Sequence, residues 1–246
     1  FQKAQALFNK GDFRSARIEL LKAIKANPDN AIARLLQART ALELGNGIVA
    51  QTELEKAITA GIPREKTQHL MAHAFLLQRQ YTRAFEMANE GDIPPQFGAY
   101  AARIRGRAMT GLKRPEAARE HFVKAEQLAP RDPETLVDLS RYYIFVAEMP
   151  KATELVDRAI DLHPTFAKAL LVKGNIERQT KGLAAALPFF NRALESDPNN
   201  IEALLERAAT LGDLNRDKEA RADLKRVTGL VPDHALALYL DAVMET

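Results

Sequence analysis

Alanine recurs every 34 residues along this chain, at Ala16, Ala50, Ala84, Ala118, Ala152, Ala186 and Ala220. Prolines keep the same period at Pro28, Pro130, Pro164, Pro198 and Pro232, and Pro63 and Pro94–Pro95 stand beside the two points where the grid lacks one. No net insertion or deletion separates the first unit from the last. A period held over seven units excludes most folds. It requires one supersecondary unit, repeated, in which each copy buries its apolar face against the next.

With the proline at slot 32 of the unit, the recurring alanine takes slot 20. Slot 8 is small throughout: Ala4, Ala38, Ala72, Gly106, Ser140, Gly174, Ala208 and Ala242. Slot 24 is mostly large: Leu20, Leu54, Ala88, Phe122, Val156, Phe190 and Leu224. Apolar residues spaced by three and four, as in Leu187, Phe190, Ala193 and Leu194, predict amphipathic helices. Small side chains at slots 8 and 20 let two helices approach, and slot 24 fills the space between them. Gly11-Asp12, Gly45-Asn46-Gly47 and Gly111-Leu112-Lys113 predict the turn between the helices of a unit. Asp29, Asn30, Asp132, Asp197, Asn199 and Asn200 are placed to cap or turn into the next unit. The expected fold is all-α: about seven helix pairs in one domain over 1–246, with repeats near 1–30, 31–64, 65–98, 99–132, 133–166, 167–200 and 201–234, and an unpaired helix at 235–246.

Composition narrows the function. Lys+Arg of 35 against Asp+Glu of 32 leaves a formal charge of +3, too small for charge alone to indicate a nucleic-acid binder, and no nucleic acid is expected. The absence of cysteine excludes disulfides, thiolate metal sites and a thiol nucleophile within this segment. No run of apolar residues is long enough to span a membrane. The sequence contains no glycine-rich phosphate loop and no G-x-S-x-G elbow, so no enzyme activity and no cofactor are expected. His69 and His73 have the spacing of two metal ligands on one helix face, but no third ligand accompanies them. Arg39, Arg103 and Arg107 would oppose a dication there, so no metal is expected.

The small residue at slot 8, alanine at slots 20 and 27 and proline at slot 32 resemble the tetratricopeptide repeat family over the whole chain. The frequent slot-4 tryptophan of that family is absent, and slot 11 is aromatic only at Phe75 and Tyr143. The resemblance implies a right-handed α-solenoid whose first helices line a concave groove, with slots 2, 5, 9, 12 and 13 facing it. It implies a non-catalytic scaffold that binds a protein or peptide there. The candidate binding residues are then Arg39, Lys66, His69, His73, Tyr100, Arg103, Arg107 and Arg141, followed by the more apolar Leu171, Asn175 and Leu205. Arg103 and Arg107 form an i, i+4 like-charge pair that would gain from a bound anion, so an acidic peptide is the expected ligand. The opposing expectation is a solvated face neutralised by Glu43, Glu134 and Asp138. Some family members clamp a terminal carboxylate with Lys at slot 5 and Asn at slots 6 and 9. This chain has no unit pair with that set.

The strings 12–20, 100–108, 182–190 and 205–214 are also similar to bacterial envelope lipoproteins of this family that are linked to exopolysaccharide export and PEP-CTERM sorting. That resemblance implies a place outside the cytoplasmic membrane and, as an alternative function, a basic groove that contacts anionic polysaccharide. A cytoplasmic location is the alternative. The resemblance also implies that the segment follows a lipobox cysteine, which is not among these residues.

Irregular stretches carry their own expectations. Gly91-Asp92-Ile93-Pro94-Pro95 should end the second helix of the third repeat early, with Ile93 and Phe97 refilling the gap beside Ala88. Pro188 should fall in or just after the first turn of a helix starting near Leu183. Phe1 falls at slot 5 and Thr246 at slot 12 of an eighth unit, so the sequence reads as a fragment of a longer repeat protein. The 235–246 helix should expose an apolar face and support weak end-to-end association.

Overall fold

The computed structural model describes residues 1–244, apart from the Glu90 side chain. Among the described residues it holds fifteen α-helices and no strand, in two compact units, Phe1–Pro130 and Arg131–Thr246. The first unit contains α1 (Gln2–Asn9), α2 (Phe13–Ala26), α3 (Ala31–Glu43), α4 (Gly47–Thr59), α5 (Gln68–Leu77), α6 (Tyr81–Met87), α7 (Gly98–Gly111) and α8 (Pro115–Leu128). The second contains α9 (Pro133–Phe145), α10 (Met149–Leu162), α11 (Ala167–Lys181), α12 (Leu183–Ser196), α13 (Ile201–Asp213), α14 (Asp217–Leu230) and α15 (Ala235–Val243). The expected all-α array of helix pairs is what the structure shows. The expected final helix is described as far as Met244, and Glu245 and Thr246 lie outside the described residues.

Within each unit, sequential helices pack as pairs, and the odd-numbered helices of successive repeats also touch: α3 with α5 and α5 with α7, α9 with α11 and α11 with α13. The core follows the register. All seven slot-20 alanines are fully buried, and Leu20, Leu54, Phe122, Phe190 and Leu224 at slot 24 are buried against them. Each slot-32 proline stands two residues beyond a helix end, at α2, α8, α10, α12 and α14. The residue before it is forced into an extended conformation, as at Asn27 (φ −141°, ψ 92°) and Asp197 (φ −131°, ψ 87°). Helix starts are capped where the sequence supplies Asp or Asn: Asp12, Asn30, Asn46, Asp132 and Asn200 each accept from a backbone N–H three residues on.

The turn within each pair also repeats. Slot 15 is left-handed at Gly11, Gly45, Arg79, Lys113, Ala147 and Asn215. In the sixth repeat α11 runs on through Lys181 and Gly182 (φ 94°) makes the reversal. The third repeat is shortened as expected: α6 has 7 residues, and Ile93 is buried with Ala88 in the core of the first unit. The stretch after α6 coils into two 3₁₀ turns, Glu90–Asp92 and Pro95–Phe97. α12 starts at Leu183 as expected, and Pro188 is its sixth residue, just past the first turn, where its ring removes one hydrogen bond of the helix ladder.

One buried charge, Lys173, is held by two carboxylates. Lys173 Nζ lies 2.8 Å from Asp157 Oδ1 and 3.1 Å from Glu177 Oε1. Burial disfavours the lysine charge, but the two carboxylates outweigh it and its pKa is raised.

Candidate functional site

The odd-numbered helices of the first unit collect a cluster of rings and cations. His69, on α5, is 4% exposed. Its ring stacks on Phe97 with centroids 4.0 Å apart and meets the edge of Tyr100 at 5.3 Å. Its Nδ1 is buried without a hydrogen-bond partner. Burial, with a contribution from the positive charge of Arg39, lowers its pKa to about 4, so the ring is neutral near pH 7. His73, one turn further along α5, is half-buried and shares a hydrogen bond with the Tyr100 hydroxyl through Nδ1, at 2.5 Å.

Two arginines of this face lie over aromatic rings. The Arg39 guanidinium, on α3, is 4.9 Å from the centroid of Phe8, on α1. That of Arg103, on α7, is 5.4 Å from Tyr100. An aromatic face holds a guanidinium through its quadrupole and uses none of its N–H donors, which point outward around the edge of the plane. Arg39 is exposed, whereas Arg103 is 5% exposed and its stem is packed into the helix pair. Arg107 is half-buried on α7, and Lys66 is exposed on a 3₁₀ turn before α5.

The odd-numbered helices of the second unit are organised differently. Their charges meet one another. Lys168 Nζ on α11 lies 2.6 Å from Glu134 Oε1 on α9, and Arg178 Nη2 on α11 lies 2.8 Å from Glu206 Oε2 on α13. Arg141 Nη2 on α9 reaches Glu202 Oε1 on α13, 3.6 Å away. The apolar residues assigned to this face sit inside it. Leu171 is 1% exposed, so the expectation that it offers contact area is corrected: it belongs to the core. Leu205 is half-buried and packs on the same cluster. Asn175 is half-buried, with Oδ1 enclosed and without a partner.

Arg39, His69, His73, Tyr100 and Arg103 therefore come together around three odd helices, α3, α5 and α7. Two members were not foreseen. Phe8 was available from slot 12, which the register turns toward the same face. Phe97 was not, because the turns after α6 carry it off the helical grid. The pairing of Glu134 with Lys168, 34 residues apart at the same slot, had a signal in the opposite charges of successive slot-2 residues. Among the described residues no three His, Asp or Glu side chains gather to hold a metal, and no helix is long and apolar enough to cross a membrane.

Comparison with known proteins gives the pattern a name. The family model described as tetratricopeptide repeat matches residues 1–64 and 138–201. The chain is 26% identical over 211 residues to U-box domain-containing protein 70 of Oryza sativa subsp. japonica, covering 85% of this chain and 26% of that protein. It is 33% identical over 92 residues to Hsp70-Hsp90 organizing protein 2 of Arabidopsis thaliana, covering 37% of this chain and 16% of that protein. It thus spans about a quarter of the first relative's length and less of the second's. The crystal structure of the APC/C hetero-tetramer Cut9-Hcn1 shares the fold, with a TM-score of 0.65, 17% identity and coverage of 99% of this chain and 48% of that one. With the model matching more than half of the residues and the slot-8, slot-20 and slot-32 register running throughout, this chain belongs to the tetratricopeptide repeat family.

Proposed function

We propose that this chain is a non-catalytic scaffold that binds a protein or peptide on the face lined by the first helices of its repeats. The observation that carries this reading is the cluster on the first unit, where Arg39 is exposed with its guanidinium 4.9 Å from the centroid of the Phe8 ring. A rigid helical scaffold with cations already fixed in place loses little side-chain freedom when an anionic partner arrives. The Arabidopsis relative, named as an organizing protein for Hsp70 and Hsp90, is consistent with an interaction role.

The test is a capture experiment from an extract of the source organism. The baits are the parent, a variant with Arg39→Glu and Ile32→Glu on the first-helix face, and a control with Arg17→Glu and Lys22→Glu on α2. Circular dichroism verifies that all three fold. A protein retained by the parent and the control but lost by the face variant supports the reading. Equal retention by all three overturns it. Capture of an anionic polysaccharide, released steeply by salt and indifferent to peptide competitors, would instead favour the envelope role.

A further inference from the structure

Arg141 and Arg39 occupy the same place in their repeats, slot 9 of a first helix. Arg141 meets the carboxylate of Glu202, which stands 61 residues later in the sequence at slot 2. The residue 61 positions after Arg39 is Tyr100, which has no carboxylate and whose hydroxyl is engaged by His73. Among the described residues Arg39 has no carboxylate partner; its neighbours are the Phe8 ring and the charge-sensitive ring of His69.

We propose that Arg39 receives the side-chain carboxylate of an aspartate or glutamate within an extended peptide partner, in the place that Glu202 fills at Arg141. The inference rests on the first-helix face being the binding surface. The second unit shows what a slot-9 arginine takes in this scaffold: a side-chain carboxylate presented from across the face. The first unit keeps the arginine and lacks the acid. The guanidinium is already positioned by Phe8, and a carboxylate can take two of its N–H donors at once.

The same helix supplies a second contact. Ile32 is 61% exposed on the first turn of α3, seven residues before Arg39. Seven residues are close to two helical turns, so the two side chains share a face and lie about 10 Å apart along the helix. In an extended, polyproline II-like peptide, residues three apart also share a face and lie about 9 Å apart. The partner therefore carries an apolar and an acidic side chain three residues apart.

The test uses two phage-displayed libraries of random dodecapeptides, one embedded in the coat protein with no free carboxyl end and one displayed with a free C-terminus. Both are selected on the parent, on Arg39→Gln and on Arg17→Gln, the last an exposed position of α2 away from the first-helix face. The expected result is enrichment of peptides from the embedded library with an acidic and an apolar residue three apart. Such peptides bind roughly tenfold more weakly when their acid is changed to the amide or when Arg39 is replaced, and bind Arg17→Gln as they bind the parent. Acidic enrichment that survives Arg39→Gln overturns the proposal, as does enrichment confined to the free C-terminal library. Enriched peptides without acidic preference that compete with the natural partner leave the binding face standing and sink the role of Arg39. Failure of either library to yield any peptide sensitive to first-helix substitutions sinks both.

Discussion

Gly174 on α11 lies so close to the ring of Phe190 on α12 that a Cβ at Gly174 would stand 2.4 Å from the ring's Cε1. Gly106 and Phe122 repeat the relationship at 2.8 Å in the fourth repeat. Three of the repeats with alanine at slot 8, at Ala4, Ala38 and Ala208, have leucine at slot 24, at Leu20, Leu54 and Leu224, and the third repeat pairs Ala72 with Ala88. The two slots thus share one volume. Gly174→Ala gains about 0.5–1 kcal/mol of helix propensity, but the buried phenyl ring has no space to withdraw, and overpacking costs about 1–3 kcal/mol. The variant is expected to lower the urea midpoint. Phe190→Leu added to it should recover most of the loss, because the pair then matches Ala208 and Leu224. A double variant no more stable than Gly174→Ala alone would refute the shared-volume account.

That pairing was legible because slots 8 and 24 are read on one grid, and the grid alone predicts the helix pairs, the turns and the core. The grid does not report depth. Arg103 and Leu171 were assigned to a helix face, yet both are buried there, since the packing of neighbouring helices decides how far a face opens. Phe97 was illegible as a partner of His69 because Gly91, Pro94 and Pro95 break the helical register just before it. Arg141 and Glu202 were hidden for another reason: they sit two repeats apart, and nearest-neighbour reasoning along a repeat array stops at one.

Ala147 carries a left-handed backbone, φ 61°, immediately after α9. Its N–H bonds the carbonyl of Ile144, and the N–H of Glu148 bonds that of Tyr143, which closes the helix end. The first two repeats use Gly11 and Gly45 for this reversal. A Cβ in this conformation costs about 1–2 kcal/mol, and glycine in the unfolded chain returns part of that. Ala147→Gly is therefore expected to stabilise the protein by about 0.5–1 kcal/mol, seen as a higher melting temperature. Asn215→Gly should gain less, since asparagine tolerates this region. A fall in melting temperature for Ala147→Gly would show that the turn is held by contacts of the methyl group.

Arg207 and Asp223 form a two-pronged ion pair, Nε to Oδ2 and Nη2 to Oδ1, each at 2.7 Å, with Asp223 only 2% exposed. Removing one partner leaves the other in a poorly solvated place. Asp223→Ala is expected to destabilise by about 3–5 kcal/mol, discounted toward the low end because the arginine side chain is 21% exposed. The fifth repeat places Leu139 and Leu155 at the same two slots, and the third places Met71 and Met87. Arg207→Leu combined with Asp223→Leu should therefore fold with a stability near that of the parent. A double variant as unstable as Asp223→Ala would mean that the ion pair contributes more than an apolar contact of similar volume.

His69 sets a pH window. Its folded pKa, about 4, lies below the 6.5 of an unperturbed ring because it is buried and because Arg39 is near. Between those two values the unfolded chain takes up a proton that the folded chain refuses. Stability is therefore lost as pH falls through 6.5 and levels off below about 4. Between pH 7 and pH 5 the loss from this ring amounts to about 2 kcal/mol. Carboxylates titrate in part of the same range, so the comparison is with His69→Gln, which shares them and lacks the ring. The parent should lose more unfolding free energy over that interval than the variant. Phe97→Ala removes the ring stacked on His69 and admits water, and it should move the imidazole titration, followed by NMR, back toward 6.5. A His69 ring that titrates near 6.5 in the parent would show that water reaches it past Phe97 and Tyr100, and the window would close.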